Sequence, residues 1–464
     1  MSLPDRPPTH HHRGASMSHR IRQTRAKRVT TTFAVLGVAA LGLTACGPAV
    51  GSTDASGSTE VDWASIEPAE SISFWTNHPG GSQEVEQQLV DGFTEETGIE
   101  VEIVTAGANY EEVSQRFQTA QTSGDVGDLV VMSDATWFTN HVNGSLLALD
   151  DAFAAAGGDT STYNETLFDD YLYEDAHYAV PYARSTTIYY YNADHYAEAG
   201  LTEAPTTWEE VREHSLALVD AGVTDTAFSF PPAEDYPAWM MNNLVWGYGG
   251  GWSDEWDASA VTSDGTVEAV QFAQDAVQDG WANVSSGSPA DDFAAGATSQ
   301  FIGSTGSLGG VTETAGFEVG VAFLPGGPVE QELVVPTGGA GVAISAASTP
   351  EEQLAAAMLA DHLTSAENTV AFSSQTGYMP VRSDADASAL YAENPNFEVA
   401  VEQLESRTRT QDYLRVFLPG GDLALATALQ RILTTDADVE ESLAALQAEL
   451  EGLYENDLRP QLEG

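Results

Sequence analysis

From residue 71 onward the apolar positions alternate between two spacings. Ile72-Ser73-Phe74-Trp75 is a strand candidate. Val85, Leu89 and Phe93 then recur every fourth residue, which puts them on one face of a helix that Gly98 is placed to end. Ile99, Val101 and Ile103 alternate as in a strand, residues 110–123 read as a helix stopped at Gly124, and 128–132 is a short apolar strand. Strands alternating with helices predict an α/β fold with a largely parallel sheet, and ligands of such sheets lodge beyond the carboxyl ends of the strands. A second α/β region begins near Ile188, and its first helix has Thr207 as N-cap with Glu210 three residues on, the spacing of a capping box. Glu351–Thr364 and residues 437–455 carry amphipathic helical patterns, and no tandem repeat of fixed period occurs.

The first 45 residues follow a different pattern. Arg20, Arg22, Arg25, Lys27 and Arg28 precede an apolar run from Phe33 to Leu43, then small residues lead to Cys46. This is the layout of a secretory signal, and the run is too short to span a bilayer as a helix. Leu43-Thr44-Ala45-Cys46 resembles the lipobox of bacterial lipoproteins, which implies that residues 1–45 are removed and Cys46 is lipidated. Met17 is an alternative start to Met1. Residues 46–70 open with the Gly/Ser/Thr-rich stretch GPAVGSTDASGSTE and read as a flexible tether.

Charge narrows the partners. Beyond residue 45 the chain has nine arginines, no lysine and 69 acids, a net charge of −60. Nucleic acid and anionic membrane surfaces both need clustered positive charge, so neither is expected as a partner. Cys46 is the lone cysteine, which excludes a disulfide framework and a cysteine metal site. No later apolar run approaches the length of a membrane span. More than 400 residues beyond the signal are enough for two domains.

Familiar catalytic signatures are missing: no HExxH, no Gly-x-Ser-x-Gly and no P-loop, whose lysine the chain beyond residue 45 lacks. His78, His141, His177, His195, His214 and His362 are scattered without ligand spacing, so no metal or other cofactor is expected. Carboxylate pairs are so abundant that none marks a glycosidase cleft.

Five segments in order resemble the extracellular solute-binding proteins of bacterial ABC importers, in the large carbohydrate-binding family. They are YEEVSQRFQTAQTSGDVGDLVVM (110–132), YAVPYARSTTIYYYNADHYAEAGLTEAPTTWEEV (178–211), the Gly-Gly segment 249–251, FLPGG (323–327) and TGYMPVR (376–382). The resemblance implies two α/β lobes of the class II periplasmic-binding-protein type with a ligand cleft between them. It implies crossings near Arg184, Val321 and Ser365, so that 71–184 and 322–365 form one lobe and 185–321 and 366–464 the other. It also implies a monomer that closes on a small solute and delivers it to ABC permease subunits at the extracytoplasmic face of the membrane.

Within the family the chain is most similar to the sn-glycerol-3-phosphate-binding branch. Asn109-Tyr110-Glu111 matches that branch's Asn-Tyr-Glu, Ser185-Thr186 its Ser-Thr, and Ser304-Thr305-Gly306-Ser307-Leu308 its serine-rich turn. Gly338-Gly339 matches its Gly-Gly-Ala, Tyr378 its Gly-Tyr-x-Pro, and Arg415 its Leu-Arg segment. By this resemblance Tyr110, Ser185, Ser307, Gly338, Gly339, Tyr378 and Arg415 are ligand-binding candidates. Phosphate wants a cation, N–H groups and hydroxyls; a polyol wants polar groups and an aromatic face, for which Asp134, Tyr236, Trp239 and Trp246 are candidates. Two segments depart from the branch: Ser133-Asp134 stands where it has a Glu, and SFPPAEDYPAW (229–239) matches its Trp loop poorly. A neutral mono- or oligosaccharide remains an alternative ligand. Arg184 reads equally as a ligand contact or an inter-lobe ion pair. The other classes open to a secreted chain are an anchored extracellular glycoside hydrolase and a structural surface lipoprotein.

Overall fold

The computed structural model describes residues 61–124 and 126–463. The expected signal segment, the lipidation site Cys46 and the tether up to residue 60 lie outside them. Along the chain, β1 (Ser71–Thr76), α1 (Gln83–Thr97), β2 (Glu100–Thr105), α2 (Tyr110–Ala120) and β3 (Leu129–Ser133) come first. A long strand, β4 (Val180–Asn192), leads to α3 (Trp208–Ala221), β5 (Phe228–Phe230), α4 (Pro237–Met240), α5 (Asp264–Gln278), β6 (Ala282–Val284), β7 (Gln300–Ser304) and β8 (Val319–Ala322). Then follow β9 (Val335–Ile344), α6 (Pro350–Leu363), α7 (Ala366–Thr376), α8 (Asn396–Arg407), β10 (Thr408–Arg409), α9 (Tyr413–Val416), α10 (Gly421–Thr434) and α11 (Val439–Leu453). No helix among the described residues is long and apolar enough to cross a membrane.

The helices start and stop where their end chemistry says. Asn109 accepts a hydrogen bond from the Glu112 N–H at the head of α2, and Gly98 ends α1 in the left-handed conformation that glycine adopts without strain. α2 is shorter than its pattern suggested and gives way to a turn at Gln121. At α3 the Thr207 hydroxyl accepts from the Glu210 N–H, but Glu210 reaches back to the Thr206 N–H, one residue early, so the box does not close. A closed box sits instead at Thr349 and Glu352, opening α6.

The strands form one path, β2-β1-β3-β9-β4-β7-β5-β6, with β8 on β4 and β10 on β9. β1 is parallel to β2 and β3, and β5 is parallel to β6 and β7. β4 and β9 are antiparallel to each other, and run antiparallel to β7 and β3 respectively. The sheet is therefore mixed rather than largely parallel. β4 ties its halves together: Val180–Thr186 pairs with β9, and Thr187–Asn192 with β7 and β8. In this mixed α/β architecture each side has a core of its own, and a larger cluster that includes Trp75, Val130, Trp137, Trp208, Phe228 and Leu425 runs through both. Phe74, Leu89, Phe93, Val131, Leu359 and Phe372 fill the first; Ile188, Tyr190, Phe293, Phe301 and Phe397 belong to the second.

β4 passes from the first core at Ala183 to the second at Ile188, and the chain returns to the first core between Val321 and Ala340. Beyond Ser365 the chain still packs on the first core. Phe372 of α7 and Tyr378, Met379 and Val381 beyond it all belong to the first core, and Met379 donates its N–H to the Arg184 carbonyl. Leu390 and Phe397 then join the second core, and α8 contributes to both, because its Leu404 packs in the first.

Candidate functional site

Where the two sides meet, a cavity of about 130 Å³ is lined by Tyr110, Ser133, Asp134, Ser185, Gly339 and Tyr378 from one side, and by Asp235, Tyr236, Trp239, Ser288, residues 301–304, Ser307 and Arg415 from the other. Nine of the eleven ligand-binding candidates named from sequence stand in this wall.

Each wall residue is placed by local chemistry. The Asn109 cap fixes Tyr110 as the first residue of α2, where its hydroxyl lies 3.1 Å from that of Tyr378. The Tyr378 ring fits between two glycines. A Cβ on Gly80 would lie 2.8 Å from it, and one on Gly306 3.0 Å. The Gly306 turn is capped by Ser304, whose side chain accepts from the Gly306 N–H and whose carbonyl accepts from the Tyr190 hydroxyl. Gly339, with φ +96, crosses so close to β4 that a Cβ would lie 2.1 Å from the Ala183 carbonyl oxygen.

Gly338 does not line the cavity. A Cβ there would fall 2.4 Å from the Trp239 ring, so the missing side chain seats the indole, whose Nε1 donates to the Thr337 carbonyl at 2.8 Å. Trp246 is also elsewhere, donating to Asp412 with the Arg409 guanidinium over its ring. Arg184 pairs with Asp170 and with the Tyr171 hydroxyl, an internal ion pair outside the cavity wall.

Arg415 is the cation of the wall and is 2 % exposed. It donates from Nη2 to Asp134 Oδ2, from Nη1 to Asp422 Oδ1 (3.0 Å) and from Nε to Gln411 Oε1 (2.8 Å). A guanidinium has five N–H groups, so two remain. Burial opposes its charge, but Asp134 and Asp422 outweigh that and raise its pKa. Burial also raises Asp422, against the opposing pull of Arg415.

The acids opposite lack such a partner. Burial first, and Asp291 second, push the Asp235 carboxyl up to about 6. Burial raises Glu111 as well, although the Tyr236 hydroxyl, 3.4 Å away, and a backbone N–H work the other way. Tyr236 itself adopts φ 51, a left-handed conformation that is strained for a tyrosine; strain of this kind gathers at binding sites. The cavity thus joins one guanidinium, several hydroxyls and two aromatic faces to an acidic rim. Sequence reasoning missed Asp235, Asp422 and Gln411; the first was signalled only by its place beside Tyr236. Among the described residues no group of His, Cys, Asp and Glu is arranged to hold a metal ion.

Comparison with known proteins agrees with this picture. Residues 88–399 match the family described as bacterial extracellular solute-binding protein. The sn-glycerol-3-phosphate-binding periplasmic protein UgpB of Pectobacterium atrosepticum is 24 % identical over 365 residues, 74 % of this chain and 81 % of the relative. The crystal structure of UgpB from Mycobacterium tuberculosis in complex with glycerophosphocholine aligns with a TM-score of 0.80 and 38 % identity over 83 % of this chain and 99 % of that one. The GacH receptor of Streptomyces glaucescens, solved unliganded and with acarbose, aligns at TM-score 0.73 and 20 % identity over 83 % and 98 % of the two chains, a likeness of fold.

Proposed function

The chain belongs to the bacterial extracellular solute-binding proteins, in the branch of the sn-glycerol-3-phosphate-binding proteins, and from there we propose that its cargo is a glycerophosphodiester. Members of the family bind solutes rather than transform them. The carrying observation is the charge balance at Arg415. One buried guanidinium is met by two carboxylates, with Glu111 and Asp235 close by. Two free N–H groups suit the two unbridged oxygens of a phosphodiester monoanion, whereas a phosphomonoester dianion brings a second charge into an already acidic cavity. Asp235 with the Tyr236 and Trp239 rings offers a cationic end both an opposite charge and aromatic faces. The M. tuberculosis relative holds a ligand of that kind, glycerophosphocholine.

In this reading Cys46 anchors the protein, residues 46–70 serve as its tether, and closure of the two sides carries the solute to an ABC permease. Isothermal titration of the mature chain with glycerophosphocholine, sn-glycerol 3-phosphate and maltose tests the ligand. Glycerophosphocholine is expected to bind at least about tenfold more tightly than the monoester, the equivalent of about 1.4 kcal/mol. Binding of maltose alone, or of the monoester more tightly, would overturn the choice.

A further inference from the structure

Gln411 touches the walls of the cavity from behind and was singled out by no sequence pattern. β10 runs parallel to the start of β9 in the register Thr408–Val335 and Arg409–Pro336, which carries Gln411 to the level of Thr337. Its side chain is buried and makes three hydrogen bonds. Oε1 accepts from Arg415 Nε at 2.8 Å; Nε2 donates to Asp134 Oδ2 at 2.7 Å and to the Thr337 carbonyl. Arginine only donates, while a carboxylate and a carbonyl only accept, so the amide has one workable orientation, and flipping it would lose all three bonds. The Thr337 carbonyl also receives the Trp239 indole. One amide therefore joins the cation, its counter-carboxylate and the strand that seats the aromatic wall.

We infer that Gln411 is a positioning residue that aims the free N–H edge of Arg415 into the cavity and so sets its affinity for a phosphodiester. This inference rests on the ligand reading above. With Nε held by a neutral amide, the guanidinium plane is fixed while Nη1 and Nη2 meet Asp422 and Asp134. Without it the two carboxylates alone decide the plane. A neighbour that only filled space would have no such effect.

Two variants of the mature protein test this, Gln411→Glu and Gln411→Met, titrated with glycerophosphocholine from pH 5 to pH 8. In Gln411→Glu the ionised carboxylate accepts from Arg415 but cannot donate to Asp134 or Thr337. Once protonated, that carboxyl offers one acceptor and one donor again. Relative to wild type at each pH, Gln411→Glu is expected to bind about tenfold more weakly at pH 8 and to close most of that gap at pH 5; Gln411→Met stays about tenfold weaker throughout, as the loss of a hydrogen bond to a charged group implies. A gap that does not move with pH, or no gap, overturns the inference. The Arg415 Nε–H resonance of ligand-free protein gives a reading independent of ligand. It is expected to be protected from exchange in wild type and exposed in Gln411→Met. If wild type binds no glycerophosphocholine while that resonance responds, the ligand reading falls and the positioning stands; an unresponsive resonance overturns the positioning itself.

Discussion

Arg415 and Asp134 stand 281 residues apart in sequence, and the guanidinium of one donates directly to the carboxylate of the other. The bond joins the end of β3 to α9 across the cavity, and Asp422 completes the pair from α10. Replacing Arg415 leaves the buried Asp134 and the partly buried Asp422 without their cation. Arg415→Ala is therefore expected to lose phosphodiester binding by titration and to unfold about 3–5 kcal/mol more easily in urea. In Arg415→Met/Asp134→Leu/Asp422→Leu much of that stability returns while binding does not, since an ion triad replaced whole by apolar side chains is often close to neutral. Retained phosphodiester binding by Arg415→Ala would remove the residue from the site.

The two adjacent glycines of β9 separate by what they face. At Gly338 a new methyl meets a movable indole; at Gly339 it meets the Ala183 backbone at positive φ. Gly338→Ala should shift tryptophan fluorescence and weaken ligand binding with a modest stability change. Gly339→Ala should cost at least about 2 kcal/mol in denaturation. The reverse order would contradict both placements.

Tyr378→Phe removes one hydroxyl of the Tyr110–Tyr378 pair and keeps the ring in its slot. A single neutral hydrogen bond is worth about 1 kcal/mol, so the expected outcome is a roughly fivefold weaker Kd. An unchanged Kd would place this hydroxyl pair outside ligand contact.

Asp235 gives a pH dependence whose sign follows from its raised pKa. Burial, then Asp291, lift the folded-state value from 3.8 to about 6. Between these values the folded chain holds a proton that the unfolded chain has released, so this residue's contribution to stability falls as pH rises through that window and stays low above it. Asp235→Asn should match wild type near pH 4 and be the more stable at pH 8. The gain is at most about 3 kcal/mol, less where solvent screens the carboxylate. Urea midpoints at the two pH values check it; parallel curves for the two proteins would refute it.

Local signals carried much of the architecture. Val85, Leu89 and Phe93 mark the buried face of α1, and Gly98 ends it, because side-chain spacing and chirality act within a few residues. The motif Asn109-Tyr110-Glu111 held both a helix cap and a wall residue. What escaped was long-range. Nothing in Gly338 says that it seats an indole 99 residues earlier in the chain, and nothing in Gln411 announces its bond to Asp134. The packing beyond Ser365 is long-range too: Phe372 lies on α7, past a plausible helix stop, and its burial in the first core depends on partners such as Tyr182 from β4.

The slot around Tyr378 has a consequence for watching the protein work. Gly80 follows β1 and Gly306 follows β7, so the ring is gripped by one jaw from each half of the molecule. A tyrosine ring held this closely by two backbones rotates slowly about its own axis; parting the jaws frees it. The flip rate of this single ring, followed by NMR with labelled tyrosine, is a built-in gauge of how far the protein has opened, readable without attaching any probe.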